Sequence, residues 1–123
     1  MSKKNKISIY DVVPKRGRHL LSEEQEDGLV RLIIPRFTNN FMRHLLERMG
    51  RDSNIHITLE EHGSAIWRLI DGKRTVKDII ENLNEHFNNE ENYEYRIIKY
   101  IMTLRQQQII VYATPPTENN ITQ

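Results

Sequence analysis

Five histidines, His19, His44, His56, His62 and His86, are the residues best suited to acid–base work or metal ligation near neutral pH. Their spacing contains no H-E-x-x-H pair, and no carboxylate stands beside them at a metal-binding interval. They therefore read as surface or partly packed imidazoles. His62-Gly63-Ser64-Ala65 offers a serine hydroxyl, but the G-x-S-x-G elbow is incomplete and no hydrolase strand–turn–helix surrounds it, so Ser64 is expected near a helix start. Asp71-Gly72-Lys73-Arg74-Thr75 superficially echoes a phosphate loop. The preceding glycine is Gly63, too far away for G-x-x-x-x-G-K-[ST], which leaves a helix cap, with the amides of Thr75 and Val76 as the remaining anion donors. Glu60-Glu61 and Glu90-Glu91 are adjacent carboxylates of the kind that serve solubility. Cysteine is absent, which removes disulfides, thiolate nucleophiles and cysteine-based metal sites. No catalytic residue, no metal and no cofactor is expected, and the chain does not read as an enzyme.

The elements that would position any site fit a chain of 123 residues, 37% hydrophobic and 28% charged, enough for one compact domain with short tails. The formal net charge of +1 gives no strong attraction to nucleic acid or anionic membrane. No apolar run resembles a signal core or the roughly 20 residues of a membrane span, so a cytoplasmic protein is expected. The chain is expected to divide into a basic N-terminal arm over 1–18, a folded domain over 19–112, and a disordered polar tail over 113–123. The arm reads as a frayed tail, with a docking role left open.

His19-Leu20-Leu21 and Leu29 to Ile34 flank Glu26-Asp27-Gly28, which predicts a hairpin whose second strand ends at Pro35. Phe41, Met42, Leu45, Leu46 and Met49 recur at helical spacing, predicting a short helix over 41–49. Ile55-His56-Ile57-Thr58-Leu59 alternates with period two, predicting a third strand buried on its Ile55, Ile57, Leu59 side. Ala65, Ile66, Leu69 and Ile70 mark a helix that stops at Asp71-Gly72. Thr75 with Asp78 forms a capping-box pattern ahead of Val76, Ile79, Ile80, Leu83 and Phe87. Tyr93, Ile97, Tyr100, Ile101 and Leu104 predict a last helix over 93–107. Ile109 to Tyr112 suits either a terminal strand or a docked tail, and Trp67 either the edge of the core or an exposed contact surface.

Residues 56–80 resemble the PqqD family, whose D-G-x-R-T-V-x-D-I core is matched by Asp71, Gly72, Arg74, Thr75, Val76, Asp78 and Ile79. The resemblance extends over 19–112, most loosely at the first strands and the 37–54 insertion. It implies an α+β, winged-helix-like module: a three-stranded antiparallel sheet followed by a three-helix bundle, here with an extra short helix before the third strand. It further implies a RiPP recognition element, a peptide chaperone that binds the leader segment of a ribosomally made precursor peptide and presents it to a modifying enzyme, often a radical-SAM protein. In such modules the peptide adds beside the third strand, in a groove closed by the third helix.

Carried over by position, the edge is Ile55 to Leu59 and the helix wall Tyr95 to Arg105; the peptide-binding residues expected within them are Ile55, Ile57 and Leu59 on the strand, and Arg96, Ile98, Lys99, Met102 and Arg105 on the helix. An exposed strand edge offers main-chain donors and acceptors, while two or three apolar anchors at roughly 1.5–3 kcal/mol each offset much of the cost of ordering a peptide. Ile98 and Met102 also fit a simple widening of the core stripe, and the three cations also fit a solvated face. Two other readings stand beside this one. A winged-helix DNA-binding protein is disfavoured by a last helix with only Arg96, Lys99 and Arg105 against Glu94. A structural or dimerising module would need no peptide ligand at all.

Overall fold

The computed structural model describes residues 8–35, 40–50, 54–88 and 90–113. After a 3-10 turn at Ile9–Asp11 the elements are β1 (Pro14–Arg16), β2 (Leu21–Glu24), β3 (Val30–Pro35), α1 (Asn40–Arg48), β4 (Asn54–Thr58), α2 (Glu61–Arg68), α3 (Val76–Asn82), α4 (Tyr93–Gln106) and β5 (Ile110–Tyr112). The chain is α+β, with an antiparallel sheet in the order β2-β3-β4 and a separate pair of strands, β1 and β5. The expected tail over 113–123 lies, beyond Ala113, outside the described residues, as do residues 1–7 of the expected arm. No described helix is long and apolar enough to cross a membrane.

The described chain divides into two compact units, residues 18–64 and the remainder, with the boundary inside α2. In the first, the hairpin turn is closed by Gln25 N–H donating to Leu29 O (2.8 Å) and Asp27 Oδ1 accepting from Leu29 N–H (3.0 Å). Gly28 sits at φ +86°, a conformation that side chains with a Cβ resist. On β3, Val30 and Leu32 are buried, and Pro35 ends the strand, as its missing N–H requires. The Ser64 hydroxyl is a structural group: it accepts from Val30 N–H (2.9 Å) and donates to Leu59 O (3.1 Å).

α2 begins at Glu61, before Gly63, because Glu60 caps it: the carboxylate accepts from His62 N–H (2.9 Å) and Gly63 N–H (3.1 Å). Glu60 is thus a cap rather than the solubilising charge expected of it, a role its residue type does not signal because glutamate is not among the preferred N-cap residues.

In the second unit the buried residues include Ile66, Ile70, Val76, Ile79, Ile80, Leu83, Phe87, Ile97, Ile101 and Leu104, on the stripes that helical spacing predicts, together with Trp67, off its helix's predicted stripe, and Ile110 on β5; Ala65 and Leu69 are half-buried. The expected arm is corrected in its second half. Val12, Val13 and Pro14 are buried, and β1 pairs antiparallel with β5, Pro14 opposite Tyr112 and Arg16 opposite Ile110. This settles residues 110–112 as a strand. It also settles Trp67, which is 1% exposed: the Arg16 guanidinium lies 4.9 Å from its ring centroid and donates to its carbonyl (2.9 Å). A basic, β-branched segment reads as a tail only until its strand partner, about 95 residues downstream, is known.

Candidate functional site

β4 is the last strand of its sheet, and among the described residues no strand pairs along its outer side. Its register sets Ile57 opposite Leu32 and Ile55 opposite Ile34, and Leu59 N–H donates to Val30 O (2.8 Å). The alternation of an antiparallel ladder then turns residues 55, 57 and 59 toward β3 for hydrogen bonding and directs the main-chain groups of His56 and Thr58 outward. The side chains of Ile55, Ile57 and Leu59 share the sheet face of Val30 and Leu32, as the period-two pattern predicts.

Their burial is graded, which corrects the expectation of a uniformly buried side. Leu59 is 7% exposed and belongs to the core, whereas Ile57 and Ile55 are each 38% exposed. An edge strand lacks a neighbour on one flank, so apolar side chains that a central strand would cover stay partly open.

The helical candidates separate into two groups. Ile98, Lys99 and Met102 line one open cavity of about 310 Å³ with Tyr95, Thr103 and Gln106. These positions recur at helical spacing along one side of α4, and Met102 and Tyr95 are exposed. Lys99 lies over the Tyr95 ring, with Nζ 5.9 Å from the centroid. The cavity's apolar wall and single cation suit an apolar side chain with an acidic neighbour.

Arg96 and Arg105 are held elsewhere. Arg96 Nη1 pairs with Glu90 Oε1 (2.8 Å) and its guanidinium stacks 5.4 Å from the Phe87 centroid, while Arg105 stacks 5.5 Å from that of Tyr112. Burial raises the Tyr112 pKa, and the positive charge of Arg105 partly offsets the rise. Tyr95, the first residue of the expected helix wall though not among its named contacts, begins the Tyr95/Ile98/Met102 series that lines the cavity. Among the described residues no group of three histidine, cysteine or carboxylate side chains is placed to hold a metal ion.

The Asp71–Asp78 motif takes a shape that leaves no anion site. Asp71 Oδ1 accepts from Lys73 N–H and Arg74 N–H (both 2.9 Å), and Oδ2 pairs with Arg74 Nη1 (2.8 Å). Partial burial pushes the Asp71 pKa up, but those hydrogen bonds and the Arg74 charge outweigh it and hold the carboxyl below its ordinary value. Thr75 and Asp78 complete the capping box, each bond 3.1 Å. Thr75 N–H thus donates to Asp78, and Val76 N–H donates to Val12 O (2.9 Å), so both amides once available to an anion are taken. Gly72 N–H donates to Pro14 O (3.1 Å), and its φ of +79° explains the glycine.

Residues 42–110 match the family model described as coenzyme PQQ synthesis protein D (PqqD). The chain belongs to the PqqD family. The match begins inside α1 and ends at the start of β5, so the β2–β3 hairpin lies outside it, although the resemblance was expected to reach residue 19. No curated protein and no solved structure matches the chain significantly. In this PqqD member the family's signature loop is architectural. It stops the chain after α2, caps α3, and ties both to Val12 and Pro14.

Proposed function

We propose that this PqqD-family chain is a noncatalytic accessory protein. It takes the leader segment of a ribosomally made precursor peptide as an added strand beside β4 and presents it to a modifying enzyme, with a radical-SAM protein as the expected type. The observation that carries this reading is the character of the β4 edge. It has no partner strand among the described residues, its residues Asn54 to Thr58 carry no carboxylate or ammonium, and Ile55 and Ile57 are partly open beside it. Strand addition draws affinity from main-chain hydrogen bonds, each contributing about 0.5–1.5 kcal/mol net, and specificity from pockets for alternate side chains.

Ile55 and Ile57 are proposed as the strand contacts; Ile98, Lys99 and Met102, with Tyr95, are proposed separately as a peptide-contacting surface on α4. Leu59 supports the strand from the core. Nucleic-acid binding gains nothing from α4, whose three cations lie on Tyr95, on Phe87 with Glu90, and on Tyr112.

Titration of labelled candidate leader peptides, alongside a DNA duplex, tests the reading. Saturable peptide binding that Ile57→Lys weakens is expected. Salt-sensitive duplex binding with no response to any peptide would overturn it.

A further inference from the structure

The cavity on α4 does not end at Tyr95. Tyr95 and Ile98, which line it, also line a second open cavity of about 440 Å³, whose further walls are Tyr10, Glu90, Asn92, Tyr93 and Glu94. Tyr10 and Glu94 in turn line a third, about 420 Å³, with Asp11, Lys77, Ile80 and Glu81. All of these residues belong to the second unit. Shared walls make the three one groove, which runs from Gln106 on α4 to the 3-10 turn and α3.

Charge changes sign along this groove. Lys99 is the cation at the α4 end. In the middle, Glu90 is taken by Arg96, but the exposed carboxylate of Glu94 makes neither an ion pair nor a hydrogen bond among the described residues, and the same holds for Asp11 and Glu81 beyond it. Lys77 is the one cation lining that end, so three uncommitted carboxylates face a single ammonium.

The rings give a second, independent sign. Trp67, Phe87, Tyr95 and Tyr112 each lie beside a cation of this chain, 4.9–5.9 Å from the ring centroid. Tyr10, 41% exposed, has no such cation among the described residues, and it lines both acidic cavities. A ring beside a carboxylate suits a long cationic side chain: the quadrupole and the carboxylate attract its head, while Tyr93 and Ile98 offer apolar surface to its stem.

Resting on the reading of α4 as a peptide-contacting surface, we propose that the groove recognises a lysine or arginine of the same leader segment, seated against Tyr10, Tyr93 and Glu94. The segment it selects carries an apolar residue with an acidic neighbour for Lys99 and Met102, and a cationic residue for Tyr10 and Glu94. The α4 residues of the two cavities are centred roughly six positions apart, about 9 Å along the helix, which an extended peptide covers in about three residues. Opposite signs at the two ends also set the direction of the segment, since its reverse would place acid against Glu94 and cation against Lys99.

Selection of a displayed library of random peptides on the full chain, followed by anisotropy titration of the enriched sequences, tests this. Enriched peptides should carry lysine or arginine about three residues from an apolar–acidic pair. Their affinity should fall about threefold for Glu94→Gln and for Tyr10→Leu and at least about tenfold for Glu94→Lys, all at exposed positions and with the circular dichroism of the parent. Selection repeated on Glu94→Lys should replace the cationic residue with aspartate or glutamate. Binders that Ile57→Lys weakens but that show no preferred cation would overturn this inference and leave the peptide reading standing. Cations enriched at no fixed distance from the apolar–acidic pair would overturn it as diffuse attraction. A library that yields no binder would overturn the peptide reading and this inference with it.

Discussion

β2 runs Leu21-Ser22-Glu23-Glu24 into a turn that adds Glu26 and Asp27, whereas β4 runs Asn54-Ile55-His56-Ile57-Thr58 with no aspartate, glutamate, lysine or arginine. Both flank β3, and both are outer strands of the same sheet. The acids of β2 make it costly to bring another polypeptide alongside, and Glu23 is additionally held by an ion pair with Arg31. β4 carries no such deterrent and places two partly open isoleucines beside its edge. The difference teaches that an outermost position creates the opportunity for strand addition, while side-chain composition decides which edge can use it.

The largest effect should come from the strand the two edges share. Leu32→Ala, at a side chain with no exposure, should lower the unfolding free energy by about 2–5 kcal/mol in chemical denaturation. Ile57→Ser, directly opposite, should cost about 1 kcal/mol of stability and weaken leader-peptide binding about tenfold. Equal stability losses at the two sites would break the comparison by making Ile57 a core residue.

A second pair of variants sharpens the contrast between edges. Thr58→Pro and Ser22→Pro each remove an outward-directed N–H without touching the β3 ladder. Peptide affinity measured by fluorescence anisotropy should fall at least about tenfold for Thr58→Pro and stay unchanged for Ser22→Pro. Loss at Ser22 instead would move the docking edge to β2. Met102→Ala, on the exposed side of α4, should weaken the peptide by a smaller factor, about threefold to tenfold, with little change in Tm.

The smallest effect leaves the sheet and serves as its control. Asp71 has a folded-state pKa held below its ordinary 3.8, so the stability it contributes is fully present above that value and drains away as pH falls toward the folded pKa. Urea midpoints recorded downward from pH 5 should therefore decline, and Asp71→Asn should flatten that limb without altering peptide affinity at neutral pH.

Much of the fold was legible because its signals are local. The Thr75–Asp78 capping box joins groups three residues apart, Gly28 and Gly72 stand where the backbone needs positive φ, and the Ile97/Ile101/Leu104 stripe follows from helical period alone. The start of α2 was missed for an equally local reason, an unusual glutamate cap. The candidate site was half legible. Period two placed Ile55, Ile57 and Leu59 on one face, but their unequal exposure depends on which strand is outermost, and pairing order is a long-range property. Likewise, Arg96 and Arg105 share a helix with Lys99, yet Glu90, Phe87 and Tyr112 hold them elsewhere.

By itself the amino-acid order determined the helices, the hairpin turn, the absence of thiol chemistry and the family signature, all of which rest on composition or on groups within a few bonds of one another. Only the tertiary structure decided that residues 12–14 are buried and 14–16 form a strand rather than a tail, that Trp67 is sealed by Arg16, and that β4 is left at the rim of its sheet. Those outcomes depend on partners tens of residues away, whose pairing becomes favourable only when the loop entropy of bringing them together is offset by shared burial and main-chain hydrogen bonds.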